Sequence, residues 1–237
     1  MNEGFRSFST EHFGALVVFI LFTVTVIWIG VNSEERTKKW IGFSIAFLAF
    51  SVMVMDLVYR LITSTLDIKD DLPFFLCDVV VMMLPFIIWN QNRKWLGILY
   101  FWAVAGTLQA LLTPELEDGF PSFNYFRYFI MHAGIVTAVI YAIIVWKIRI
   151  GWRDFLNAVL FAQVYIASVH LINIVLKSNY SYTMEKPDSA TIMDLMGPWP
   201  WYILTGELVM IVLFLLLMIP FVGKGRQIRH TKDALPD

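Results

Sequence analysis

Apolar runs about 20 residues long recur along the chain, each bounded by a short polar stretch, and a hydrocarbon core of roughly 30 Å takes about that length of helix to cross. The pattern predicts seven transmembrane helices, near Phe13–Val31, Trp40–Ile62, Leu72–Trp89, Trp95–Leu112, Phe123–Trp146, Phe155–Leu176 and Trp199–Phe221. The expected fold is an all-α membrane protein with one seven-helix domain over residues 1–222 and a basic tail over 223–237. Met1–Glu11 is polar and the first apolar run is of full length, so no cleavable signal peptide is expected. In the longest connection, Ser189–Met196 has the pattern of a short amphipathic helix capped by Asp188 or Ser189. It leads into Gly197-Pro-Trp-Pro-Trp-Tyr202, which reads as an interfacial aromatic anchor and, compatibly, as a lid over a cavity.

Basic residues set the orientation, because cytoplasmic loops accumulate Lys and Arg. Arg36, Lys38 and Lys39, Arg93 and Lys94, Lys147, Arg149 and Arg153, and Lys224, Arg226, Arg229 and Lys232 all fall on one side. The other side has Arg6, Lys69, Lys177 and Lys186. The N-terminus is therefore expected outside and the C-terminus in the cytoplasm, in a multi-pass protein of the cell membrane.

With that orientation, nearly every polar side chain within the spans lies toward the outer face. Intramembrane ionisable groups are costly and by default suggest a functional site. His12 marks the mouth of span one; Asp56 and Arg60 share a face at the end of span two; Cys77 and Asp78 fall in the second turn of span three. Gln109 closes span four, Arg127 and His132 lie in the first half of span five, His170 and Asn173 in the last half of span six, and Glu207 early in span seven. A rise of 1.5 Å per residue puts Cys77, His170 and His132 roughly 8, 9 and 14 Å below the outer boundary. Each has a simpler reading. Asp56–Arg60 is an intrahelical ion pair; Arg127 snorkels to headgroups or binds a lipid phosphate; Gln109 and Asn173 are interhelical hydrogen-bond partners; a lone cysteine is a packing residue.

Composition narrows the chemistry. A chain that is 58% hydrophobic with a mean hydropathy of +0.67 leaves little room for a soluble domain. Its single cysteine excludes an internal disulfide and a cysteine-rich metal cluster. No HxxxH, HExxH or glycine-rich phosphate loop is present. No metal, cofactor or nucleic-acid partner is expected. What remains is nucleophilic chemistry: Cys77 near a helix start, a histidine to take its proton, and Arg127, Gln109 or first-turn N–H groups to receive an acyl oxyanion. That combination points to transfer or hydrolysis of a lipid ester.

An ordered set of motifs carries a resemblance. Leu72-Pro-Phe-Phe-Leu-Cys77-Asp, Leu108-Gln-Ala-Leu-Leu-Thr-Pro114, Phe120-Pro-Ser-Phe followed by Tyr128-Phe-Ile-Met-His132, and Gly197-Pro-Trp-Pro-Trp-Tyr202 resemble the YwaF-like bacterial integral membrane proteins. These are distantly similar to eukaryotic transmembrane protein 164. The resemblance runs from His12 to Glu207 and implies a cysteine-dependent lysophospholipid acyltransferase with Cys77 as nucleophile and His132 as base. Many members have a histidine two residues before the cysteine, where this chain has Phe75.

Sidedness adds a constraint. Acyl-CoA is cytosolic and the cluster faces outward, so the expected donor is a neighbouring phospholipid and the acceptor a lysophospholipid. The alternative is a seven-helix transporter or receptor that binds a small polar ligand in an outward-facing cavity.

Overall fold

The computed structural model describes residues 4–187 and 192–222. Seven helices alternate in chain order: α1 (Thr10–Val31), α2 (Glu35–Ile62), α3 (Leu76–Trp89), α4 (Arg93–Leu112), α5 (Phe123–Val145), α6 (Trp152–Leu176) and α7 (Trp201–Val222). Six are long and apolar enough to cross a membrane. The exception is α3, whose 14 residues span only about 21 Å at 1.5 Å per residue. The expected third span thus begins four residues late. Pro73 supplies no N–H and disfavours helical backbone at Leu72. The non-helical stretch is tied down elsewhere: the Leu72 N–H donates to the Tyr180 hydroxyl at 3.0 Å, and the Phe74 carbonyl accepts from the Tyr165 hydroxyl at 2.8 Å.

Polar caps start several helices. Ser9 accepts the His12 N–H, Asn92 that of Trp95 and Ser122 that of Tyr125. Helix α5 forms the centre of the bundle: 67% of its apolar window is buried, and it packs against α1 through α4. Its contact with α2 is close because Gly134 faces Ala49, where an added Cβ would lie 2.8 Å from the Ala49 Cβ. By contrast α1, α6 and α7 turn large apolar side chains outward, among them Val18, Leu21, Leu160, Leu208 and Ile219. That exposed belt is what a lipid-facing surface requires, since lipid tails solvate it as well as a protein core would. Within α4 the residues Ala103–Thr107 form a π-helical stretch. The helix is held by the Tyr100 hydroxyl on the Leu217 carbonyl (3.1 Å) and the Trp102 indole on the Ala158 carbonyl (3.1 Å).

The sixth connection folds into a compact knot. Asn173 is fully buried; its amide donates to the Tyr180 carbonyl and the Thr183 hydroxyl, and its carbonyl oxygen accepts from Ser178 Oγ and the Tyr180 N–H. A 3-10 turn, Ile192–Met196, precedes α7. The expected caps Asp188 and Ser189, and the tail 223–237, lie outside the described residues.

Candidate functional site

Cys77 is the second residue of α3, in its first turn rather than its second. Helix first turns leave N–H groups without intrahelical partners and carry the positive end of the helix dipole. The thiol sulfur lies 3.6 Å from Thr107 Oγ1. Thr107 is 2% exposed and closes the π-helical stretch of α4. Such π-turns recur at functional sites because the extra residue re-aims the following side chains. The sequence signal for this feature was slight, a run of small residues ending in Gly106-Thr107 inside an apolar span. Two tyrosines complete the surroundings: Tyr128 of α5 and Tyr165 of α6 both lie within electrostatic reach of Cys77. Their hydroxyls are anchored on the Ala110 and Phe74 carbonyls respectively, and Tyr165 also meets Ser181.

His132 is buried one turn after Tyr128, whose ring stacks on the imidazole with centroids 4.1 Å apart. Its Nδ1 sits 2.8 Å from the Tyr128 carbonyl oxygen. A carbonyl only accepts, so Nδ1 carries the proton and Nε2 presents a bare lone pair. The thiol and the imidazole do not hydrogen-bond to each other; the thiol's partner is Thr107.

His12 and His170, the other histidines among the described residues, have different partners. His12 is fully buried, accepts the Phe8 N–H at Nδ1 (2.9 Å) and donates from Nε2 to the Leu111 carbonyl (2.9 Å). Both ring nitrogens are used. His170 Nδ1 lies 3.3 Å from Thr183 Oγ1, in the knot that Asn173 organises. Gln109 is exposed, and its side chain bonds Thr113 alone among the described residues, a local contact at 3.4 Å. Glu207 is half-buried on α7 and makes no hydrogen bond or ion pair among the described residues.

The intrahelical pair Asp56–Arg60 forms, at 3.1 Å, within a longer chain of charges. Arg60 also reaches Asp71 (2.9 Å), and Arg127 of α5 reaches the same Asp56 oxygen (3.3 Å). Arg127 therefore does not run free to the headgroups; it is held to α2. Its Nε is buried without a partner among the described residues. Asp78 lies close enough to feel both Arg127 and Asp56, which connects the chain of charges to the turn that holds Cys77. No group of His, Cys, Asp and Glu among the described residues is arranged to hold a metal ion.

Apolar helices long enough to span a bilayer, an outward apolar belt and charges paired inside the bundle define a multi-pass, all-α membrane protein. The family model of the TMEM164 family matches residues 7–218, nearly the whole chain, and the protein belongs to that family. No curated protein and no solved structure matches it.

Proposed function

We propose that this protein is a lipid acyltransferase of the cell membrane, YwaF-like within its family, with Cys77 as nucleophile and His132 as base. The observation that carries the reading is the fixed tautomer of His132, whose Nε2 is left as a proton acceptor in the same interior as the only thiol. A backbone carbonyl here takes the orienting role that a carboxylate has in other nucleophile–histidine pairs. The thiol proton passes to His132 through a bridging water, since Thr107 bonds the thiol and not the imidazole. The thiolate attacks a phospholipid ester carbonyl, the ester C–O bond breaks, and the departing lysolipid oxygen takes the proton back from His132. The resulting Cys77 thioester is cleaved at C–S by the hydroxyl of a lysophospholipid, whose proton His132 again removes. First-turn N–H groups of α3 stabilise the oxyanion, and Asp56, Arg60, Asp78 and Arg127 hold the wall behind it. With the N-terminus outside, donor and acceptor both come from the outer leaflet.

Two experiments test this. Cys77→Ala and His132→Ala should each lower phospholipid-to-lysophospholipid acyl transfer by about 10²- to 10⁴-fold, and the double variant should be no worse, because groups acting in one step are not lost twice. Additive losses, or activity retained by Cys77→Ala, would remove the nucleophile, and a small-ligand binding protein would then be the better reading. For orientation, a cysteine placed at Glu117 in a Cys77→Ala background should react with a membrane-impermeant maleimide on intact cells. Labelling only after lysis would reverse the topology and the choice of leaflet.

A further inference from the structure

The π-helical stretch Ala103–Thr107 shifts the register of everything after it in α4. The Leu108 N–H reaches back to the Ala103 carbonyl, one residue farther than in an α-helix. A helical threonine can spend its hydroxyl on the carbonyl four residues back. For Thr107 that carbonyl is Ala103, which already accepts the Leu108 N–H, and the Thr107 hydroxyl bonds Cys77 Sγ alone among the described residues, at 3.6 Å. The segment that follows is held by side chains from two other helices. The Tyr128 hydroxyl donates to the Ala110 carbonyl and His12 Nε2 to the Leu111 carbonyl, both at 2.9 Å. Tyr128 is also the residue whose carbonyl orients His132. One register shift therefore sets the neighbour of the thiol and the support of the imidazole together.

The direction of the Cys77–Thr107 hydrogen bond follows from what each group loses when unpaired. Thr107 is 2% exposed, and a buried hydroxyl proton without an acceptor is costly, whereas a thiol S–H is a weak donor that loses little. The hydroxyl therefore donates and the sulfur accepts. A neutral thiol accepts weakly, while a thiolate accepts as an ion, in the stronger class of hydrogen bonds. We infer that Thr107 is a positioning residue for Cys77: its hydroxyl holds Sγ against α4 and stabilises the thiolate in preference to the thiol. This rests on the acyl-transfer reading, in which the thiolate is the species that attacks the ester. The S–H proton is left to depart in another direction, toward the water that bridges to His132.

Cys77 is the single cysteine of the chain, so alkylation of the full chain in detergent by iodoacetamide reports on it alone. Thr107→Val keeps the branched shape and removes the donor. Its curve of alkylation rate against pH should move about one unit upward, the worth of one hydrogen bond to a charged group. At a fixed pH below the midpoint the rate should fall about threefold, because a tenfold loss of thiolate is partly offset by its greater nucleophilicity. Asp78, Tyr128 and Tyr165, the titratable groups within electrostatic reach of the thiol, are the same in every variant, so the difference reads Thr107. Thr107→Ser keeps the hydroxyl and should react at close to the parent rate. In acyl transfer Thr107→Val should lower kcat and leave KM unchanged, as for a contact that strengthens only when charge develops. A Thr107→Val curve that superimposes on the parent's would overturn the inference. So would a Thr107→Ser rate as slow as that of Thr107→Val, since packing rather than the hydroxyl would then be at fault. Alkylation needs no lipid turnover. Activity retained by Cys77→Ala would strike the acyl-transfer reading, while the shifted alkylation curve would still show the hydrogen bond.

Discussion

The two ends of the bundle handle charge in opposite ways. Near Cys77 the charged groups form a shared chain, Asp71–Arg60–Asp56–Arg127, in which one Asp56 oxygen serves two arginines from different helices. At the basic end Arg93 and Asp154 form a closed bidentate pair, packed so tightly that a Cβ on Gly97 would lie 2.3 Å from the Asp154 carboxylate. A closed pair saturates its own members, one carboxylate matched to one guanidinium. A shared chain spreads one carboxylate over two partners and couples α2, α5 and the connection before α3. The first arrangement fits a local fastening of α4 to α6, and the second fits a wall whose members rise and fall together.

The largest expected effect breaks the shared chain. Asp56→Asn strips both arginines of a partner in one step and should destabilise the protein by about 3 kcal/mol or more, as breaking partly buried pairs does. Thermal unfolding in detergent measures it. Adding Arg60→Gln should recover only part of that loss, because Arg127 still lacks its carboxylate. Full recovery would show that Arg127 does not depend on Asp56, and the chain would reduce to a simple intrahelical pair.

That difference was only half legible in the sequence. The Asp56–Arg60 pair follows from i,i+4 spacing alone, and the apolar periodicity gives all seven helices. The links to Asp71 and Arg127 join positions far apart in the chain, which no local pattern encodes. Helix α3 starts late because Pro73 overrides an unbroken apolar run, and its freed backbone is claimed by Tyr180 and Tyr165. Hydropathy does not register such contacts. Likewise Asn173, a candidate for the site by its depth, holds the sixth connection through four hydrogen bonds. His12 is spent on the turn before α1 and on Leu111. A histidine's position suggests chemistry, but only its partners show whether a ring nitrogen is left over. Among the described residues His132 and His170 each use only Nδ1 and keep Nε2 without a hydrogen bond.

A middle-sized effect sharpens the comparison at the Cys77 end. Asn173→Ala removes a buried amide and leaves the Tyr180 N–H and Ser178 hydroxyl to find other partners. The cost should be about 2 kcal/mol, the range for unsatisfied buried polar groups. It should appear as faster hydrogen exchange in residues 178–183 with no change around Lys147. Faster exchange at both ends would mean that the two ends are coupled through the helices rather than independent.

The smallest effect asks whether the knot is held at one point or several. The Tyr202 hydroxyl donates to the Tyr182 carbonyl at 2.6 Å, while Tyr182 itself donates to Glu115 at 2.6 Å, so α7, the sixth connection and the loop before α5 are joined in series. The Tyr202 ring is buried, at 2% exposure, and Tyr202→Phe retains that packing while deleting one link. The bond is only part-buried, so water can take the place of the lost donor. The net loss should therefore be about 1 kcal/mol, that of a single hydrogen bond, and it should add to that of Asn173→Ala, because the two act on the knot through different atoms. A double variant that loses markedly more than the sum would show that either link alone holds the knot.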